Sequence, residues 1–360
     1  MENKGEMKEK KYRQIEPRKQ KTWDINKFAS SPVSQKILKY SSIKFLPAVA
    51  LIVLLKCLAI VSCKLPRPRL CVGHVGPSRH LKSYTLTQAM KMFAKEFYLD
   101  LQSDFTMNSL KRYKKILAQN VCLMINDATT LLASKARRSK DRLVGGLAGI
   151  IADEIYIYQD FGKKFTLKGW VTLVLNITSQ SYQNNKDRLL EQSTLSERTL
   201  MVHLVLSEPE MTEWNQKSQK TADMTFEPVI TIDDIETNIQ DIPPHFLKLI
   251  EIQAREFSYL SLQSYVGCQD LIKGLVRAHA ALNKRKEVCT DDFALVSYVK
   301  EFLVNPFSPY EGQIVKLRAQ GLSYRSIEKA IGKSNYLHQI YEVVKKAQLR
   351  GILPLETKND

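Results

Sequence analysis

Residues 70–83 read LCVGHVGPSRHLKS, and Gly76, Lys82 and Ser83 stand at three of the four fixed positions of the phosphate-loop pattern G-x-x-x-x-G-K-[ST]. A loop of this kind turns its backbone N–H groups onto phosphate oxygens at a helix N-terminus, where the helix dipole favours negative charge. The lysine adds a point charge for the outer phosphates, and the serine hydroxyl reaches a magnesium ion. Leu81 occupies the position of the second glycine. A second group follows in VCLMINDATTLL (121–132), five apolar residues ending in Asn126 and Asp127. A buried strand that delivers polar groups to its C-terminal edge has this form, and Asp127 is read as a magnesium ligand or as the base that activates water. Asn126 brings no charge. In WVTLVLNITS (170–179), Asn176 sits at the polar end of a third strand, where its amide could hydrogen-bond an attacking water or a terminal phosphate. Downstream, Arg198, with Arg188 in reserve, could stabilise transition-state charge on a neighbouring subunit's phosphate. A surface salt bridge is the alternative for either arginine.

These residues need strands and helices in a set order. Cys71, Val72 and Val75 read as a short buried strand, and Tyr84 to Phe93 continues as a helix with Leu86, Ala89, Met90 and Phe93 on one face. Strand, loop, helix is the order the pattern requires. From about 43 to 208 strand-like and helix-like segments alternate, which predicts an α/β core, a parallel sheet flanked by helices. The organisation expected is a disordered basic arm (1–22, eight Lys/Arg and four Glu), the core (23–208) and a polar, acidic connector (209–244). A helical region (245–305) and a compact helical module (306–360) complete it. Residues 45–61, FLPAVALIVLLKCLAIV, form an apolar run of 17 with Lys56 inside it. That is short for a membrane span of about 20 residues, and a central lysine costs roughly 3 kcal/mol on insertion scales. The run is therefore read as a buried core helix, with a membrane anchor as the alternative.

The chain has 360 residues, 44% of them hydrophobic, enough for a sizeable core, and a net charge of +17. Acidic polymers are the partners such a charge favours, nucleic acid first and an anionic membrane surface second. Six cysteines show no C-x-x-C spacing, which argues against a disulfide framework and for free thiols in a reducing, cytoplasmic setting. Six scattered histidines make no metal-ligand pattern, and the polar first 40 residues hold no cleavable signal peptide.

Two further stretches are basic. Lys135, Arg137, Arg138, Lys140 and Arg142 fall within eight residues. Beyond them a β-hairpin is expected, with Tyr156 and Tyr158 on one arm, Phe165 and Leu167 on the other, and Asp160 to Lys163 near the turn. A solvated helix and an ordinary hairpin are the alternative reading. At the C-terminus, residues 310–351 carry eight Lys/Arg against three Glu and split into three helices at Gly321 and near Gly332–Ser334. Ile314 and Leu317 are expected to pack the first, Ile327 and Ile331 the second, and Leu337, Ile340, Val343 and Val344 the third. The stretch GLSYRSI, which includes Arg325, looks like the turn and second helix of a helix-turn-helix. Its recognition helix would start near Ser334, with Asn335, Tyr336, His338 and Gln339 nearest base edges; a protein-docking module is the alternative.

Taken in order, these motifs resemble an AAA+ ATPase over roughly residues 43–300. The resemblance makes Gly76, Lys82 and Ser83 Walker A, Asn126 and Asp127 Walker B, Asn176 sensor 1 and Arg198 the arginine finger. Residues 264–296, with AHA at 278–280 and a V-x-x-x-D-F ending, resemble the lid of minichromosome maintenance helicases. The family's lid arginine would fall near Gly267 or Cys268, with Lys273 or Arg277 as substitutes. Hairpins inserted before the sensor strand contact DNA in that family, so Lys163, Lys164 and Lys168 would touch phosphates, beside Arg137 and Arg138. The resemblance implies ATP and Mg2+ as cofactors, DNA as partner, and a homo-oligomer, a ring among the options. The expectation is a DNA-associated ATPase in replication or mobile-element processing. A catalytically inactive ATPase fold serving as a DNA-binding scaffold or regulator is the first alternative, and a membrane-anchored basic protein the second.

Overall fold

A helix that is apolar on every side belongs in a protein interior. Pro47–Ser62 (α1) is such a helix, and from Val49 to Ser62 every residue, Lys56 included, is buried. The structure is a computed structural model and describes residues 32–33, 35, 37, 47–78, 81–101, 105–129, 137–160, 163–187, 195–204, 206, 208–218, 230–261, 263–304, 309–332, 335–349 and 353. Helix α1 lies against the sheet, between the helix that follows the phosphate loop and one from the C-terminal half. Among the described residues no helix is long and apolar enough to cross a membrane.

The strands are β1 (Cys71–Gly76), β2 (Tyr98–Leu101), β3 (Cys122–Ile125), β4 (Ile155–Asp160), β5 (Lys163–Lys168), β6 (Thr172–Thr178) and β7 (Thr199–His203). Five form a parallel sheet in the order β2-β3-β6-β1-β7, while β4 and β5 pair as a separate antiparallel hairpin. Short buried runs of β-branched and sulfur-containing residues suit strands covered on both faces. Side chains alternate between those faces. Val72, Met124, Val174, Leu200 and Val202 join the core that holds α1; Val75, Leu123, Leu173, Leu175 and Met201 join the core on the other side. The α/β reading, a parallel sheet flanked by helices, therefore holds.

Helix α2 (Lys82–Lys91) follows β1 and packs on the α1 side through Leu86 and Ala89. Helices α3 (Arg137–Ala152) and α4 (Ser179–Asp187) cover the opposite face, through Leu143, Leu147 and Tyr182. The hairpin packs there too, by Tyr158, Phe165 and Leu167.

The stretch expected as a connector is partly built into the main body. Within it Glu208–Ser218 is a helix (α5) whose buried Trp214 meets Tyr84 edge-on at 4.8 Å, and Ile230 bridges to Phe93. Its polar composition hid two apolar anchors. Helices α6 (Pro244–Ser261), α7 (Tyr265–Leu282) and α8 (Thr290–Val299) follow. Helices α9 (Pro309–Ala319), α10 (Tyr324–Ala330) and α11 (Leu337–Leu349) share a small core of their own around Ile314, Ile327, Ile340 and Val344. Leu337, expected inside that core, is 38% exposed at the start of α11.

Candidate functional site

Period-two alternation decides what meets at the sheet's C-terminal edge. His74 and Asn176 are register partners on adjacent strands, on the face that carries Val72 and Val174. Asn126 follows Ile125, one step past the Ile125–Leu175 pair, and so reaches the same face. Beneath them runs α1, and Lys56 is the residue that projects upward from it. Its Nζ lies 2.7 Å from Thr85 Oγ1, 2.9 Å from Asn176 Oδ1, 3.1 Å from the Lys82 carbonyl and 3.3 Å from His74 Nδ1. None of the four is a carboxylate. The Asn176 amide nitrogen donates to the Lys82 carbonyl at 2.9 Å and to Asn126 Oδ1 at 3.2 Å. Both hydrogens and the oxygen of this amide are thus engaged.

The edge is also a topological switch point. From β1 the chain turns to the α1 side, and from the adjacent β6 it turns to the other face. Crevices of this kind outside the carboxyl ends of parallel strands are where α/β proteins bind ligands. Gly76 ends β1 there; a Cβ on it would stand 3.0 Å from the Leu204 carbonyl, so the strand needs glycine for close approach. Lys82 folds back so that its Nζ donates to the Gly76 carbonyl at 2.8 Å and also to the Pro77 carbonyl. Ser83 is exposed on the first turn of α2. Leu81, where the pattern wants glycine, has φ 55° and ψ 11°. The loop keeps the left-handed turn that glycine serves, at a cost to leucine of about 1–2 kcal/mol, which packing against the α1 core offsets. Arg79 and His80 lie outside the described residues.

Asp127 is exposed and accepts the Thr129 N–H at 2.8 Å; burial pushes the Lys82 amine below the ordinary lysine range, and the charge of Asp127 opposes that in part. Burial, and then the charge of Lys82, push the Lys56 amine well below the ordinary lysine range. Burial followed by Lys56, Lys82 and His203 does the same to His74. For magnesium, the donors near the loop are one carboxylate and one hydroxyl, Asp127 and Ser83, with the Lys82 side chain beside them. That set does not fit a divalent cation well, and no cluster of three acidic, His or Cys ligands exists among the described residues.

The other sequence candidates lie elsewhere. Arg198 sits at the opposite, N-terminal end of β7, its Nη1 donating to the Ala148 carbonyl at 3.0 Å; Arg188 lies outside the described residues. Helix α7 passes the N-terminal end of β1, where a Cβ on Gly274 would meet Arg69 and Leu70. Arg277 donates there to the carbonyls of Pro66 and Arg67, and a Cβ on Gly267 would lie 2.5 Å from Glu197 Oε2. Neither the Gly267 position nor Arg277 adjoins the loop of the same chain. Arg137 and Arg138 open α3 and Lys163 opens β5, their side chains outside the described set, while Lys164 is exposed. The outer face of the hairpin shows Ile155 and Ile157, each 55% exposed, beside Lys164 and Lys168. Arg325, Asn335, His338 and Gln339 are exposed; Tyr336 packs on the small core and donates its N–H to Glu328 at 2.7 Å.

Lys56, His74 and Thr85 are the site residues that motif reading missed. A charge in the middle of an apolar core helix was the available signal, since a buried lysine must find partners. All six cysteines are free, and burial pushes the Cys63, Cys71 and Cys268 thiols up to about 12.

Among solved structures, a full-length MCM homolog from Methanopyrus kandleri is similar to this chain, with a TM-score of 0.46 and 12% identity over 76% of the chain. The chain spans about 60% of that homolog's length. No protein-family profile and no curated protein matches it.

Proposed function

We propose that this chain binds the phosphates of a nucleotide at the 76–83 loop and works as a nucleotide-responsive DNA-binding scaffold. One observation carries the reading: two lysine side chains converge at a helix N-terminus on the switch point of a parallel sheet, with the Asp127 carboxylate acting on Lys82 from the neighbouring strand edge. Phosphate oxygens would take over Lys82 from the Gly76 and Pro77 carbonyls and receive the N–H groups of the first turn of α2. A scaffold suits the site better than a motor for a geometric reason. Asn176 spends its whole amide on Lys56, Lys82 and Asn126, and Asn126 is neutral where a hydrolytic site needs charge. DNA would be held by charge, through the basic start of α3, the hairpin lysines and a C-terminal helix-turn-helix presenting Arg325, Asn335, His338 and Gln339. Calorimetry of ATP binding to wild type and Lys82→Ala, with DNA binding measured with and without nucleotide, tests this. Binding lost in the variant and DNA affinity altered by nucleotide support it; ATP binding equal in both proteins refutes it.

A working AAA+-type ATPase is the second reading, favoured by the exposed carboxylate of Asp127 at the strand edge. In that case subunits assemble, Arg198 serves the neighbour's nucleotide, and α6–α8 act as a lid. DNA-stimulated turnover abolished by Asp127→Asn would establish it.

A further inference from the structure

No anion among the described residues meets Lys56 beneath the phosphate loop. On its underside Lys56 is fully buried and reaches only uncharged groups, one of them the carbonyl of Lys82. Burial holds such an amine toward its neutral form, and an anion brought close to it would favour the ammonium. A second group points the same way. His74 Nε2 is buried with no hydrogen-bond partner among the described residues, 3.8 Å from where a Cβ on Gly76 would stand. Two polar groups beneath the loop thus lack what an anion above it would provide.

The amide oxygens at the strand edge are already engaged. Asn126 Oδ1 receives the Asn176 amide, and Asn176 Oδ1 receives Lys56. The lysine has entered the polar chain that runs to the strand edge where a metal-binding carboxylate would stand. We propose that the loop takes the phosphates of a nucleoside polyphosphate without magnesium, and that buried Lys56, taking up a proton as the anion binds, supplies from below the positive charge a divalent ion would bring. This rests on reading Gly76, Lys82 and Ser83 as part of a nucleotide-phosphate site. The physical reason is competition between like charges. An ammonium fixed under the loop repels a divalent cation brought to the same place, and magnesium-bound ATP carries two fewer negative charges for Lys56 and Lys82 to attract.

The experiment is calorimetric titration of the full chain with ATP, once in excess EDTA and once in excess magnesium chloride, for wild type and Lys56→Met. Methionine is neutral, unbranched and suited to an apolar helix. Wild type is expected to bind in EDTA at least as tightly as in magnesium. Lys56→Met should lose at least tenfold in EDTA while melting at or above the wild-type temperature. Wild-type binding that requires magnesium overturns the proposal and leaves the nucleotide reading standing, and that comparison does not depend on the variant folding. Equal binding of both proteins in EDTA overturns the role of Lys56. Absence of ATP binding in either medium overturns both readings together.

Discussion

Two of the buried polar networks in this molecule are instructive to compare, because one contains a carboxylate and the other does not. Between α7 and α8 the Asp292 side chain is fully buried, 2.5 Å from His279 Nδ1. Arg285 grips it with both terminal nitrogens at 2.6 and 3.0 Å, and the Cys289 N–H adds a bond at 2.8 Å. The AHA and D-F elements of the sequence meet here, so their joint task is to lock two helices. That network is closed. The one around Lys56 is equally buried and just as well furnished with acceptors, yet holds no anion. A closed network needs nothing from outside the fold; an open one, whose buried amine a nearby anion would help to charge, is suited to a negatively charged ligand.

The contrast breaks first on stability. Asp292→Asn should cost about 3–5 kcal/mol, because Arg285 loses its counter-charge in the interior, whereas Lys56→Met should leave the urea midpoint unchanged or higher. Equal losses in the two variants would mean that both networks are structural. Nucleotide binding comes next. Lys82→Ala should weaken ATP at least tenfold, about 1.4 kcal/mol, with little change in melting temperature, since the side chain is half-buried.

Acid sharpens the comparison further. Burial pushes the Asp292 carboxyl up, but the hydrogen bonds from His279 and Arg285 outweigh it and hold the group below the ordinary carboxylate range. A carboxyl depressed in the folded state stabilises the protein above its unfolded pKa of about 3.9 and loses that contribution as pH falls through the folded value. Thermal melts from neutral to strongly acidic pH should show this limb in wild type and lack it in Asp292→Asn. The smallest effect belongs to Leu81→Gly. Relief of the left-handed φ and loss of packing oppose each other, so stability should move by no more than about 1 kcal/mol. ATP affinity should rise slightly; a fall would show that leucine itself shapes the loop.

Much of the frame was legible from local pattern. Apolar runs ending in Asn126, Asn176 and Gly76 are strands, the hairpin pairs Tyr158 with Phe165, and the C-terminal helices break at Gly321, whose φ is 83°. Less legible was whatever depends on a neighbour. Leu337 fits the apolar period of α11 yet stands outside its core, where the preceding residue, Tyr336, packs instead. Residues 209–244 look like a polar link because their composition hides Trp214 and Ile230, two anchors that matter only once Tyr84 and Phe93 are beside them.

The sequence by itself determined the strands, the phosphate loop with leucine in place of its second glycine, and a lysine inside an apolar helix. Period-two and helical periodicity are short-range properties, written within a few residues of where they act. Only the tertiary structure decided what that lysine does. Its partners His74, Lys82, Thr85 and Asn176 lie 18, 26, 29 and 120 positions along the chain. Strand order and register, which no local pattern encodes, bring them to one ammonium group beneath the loop.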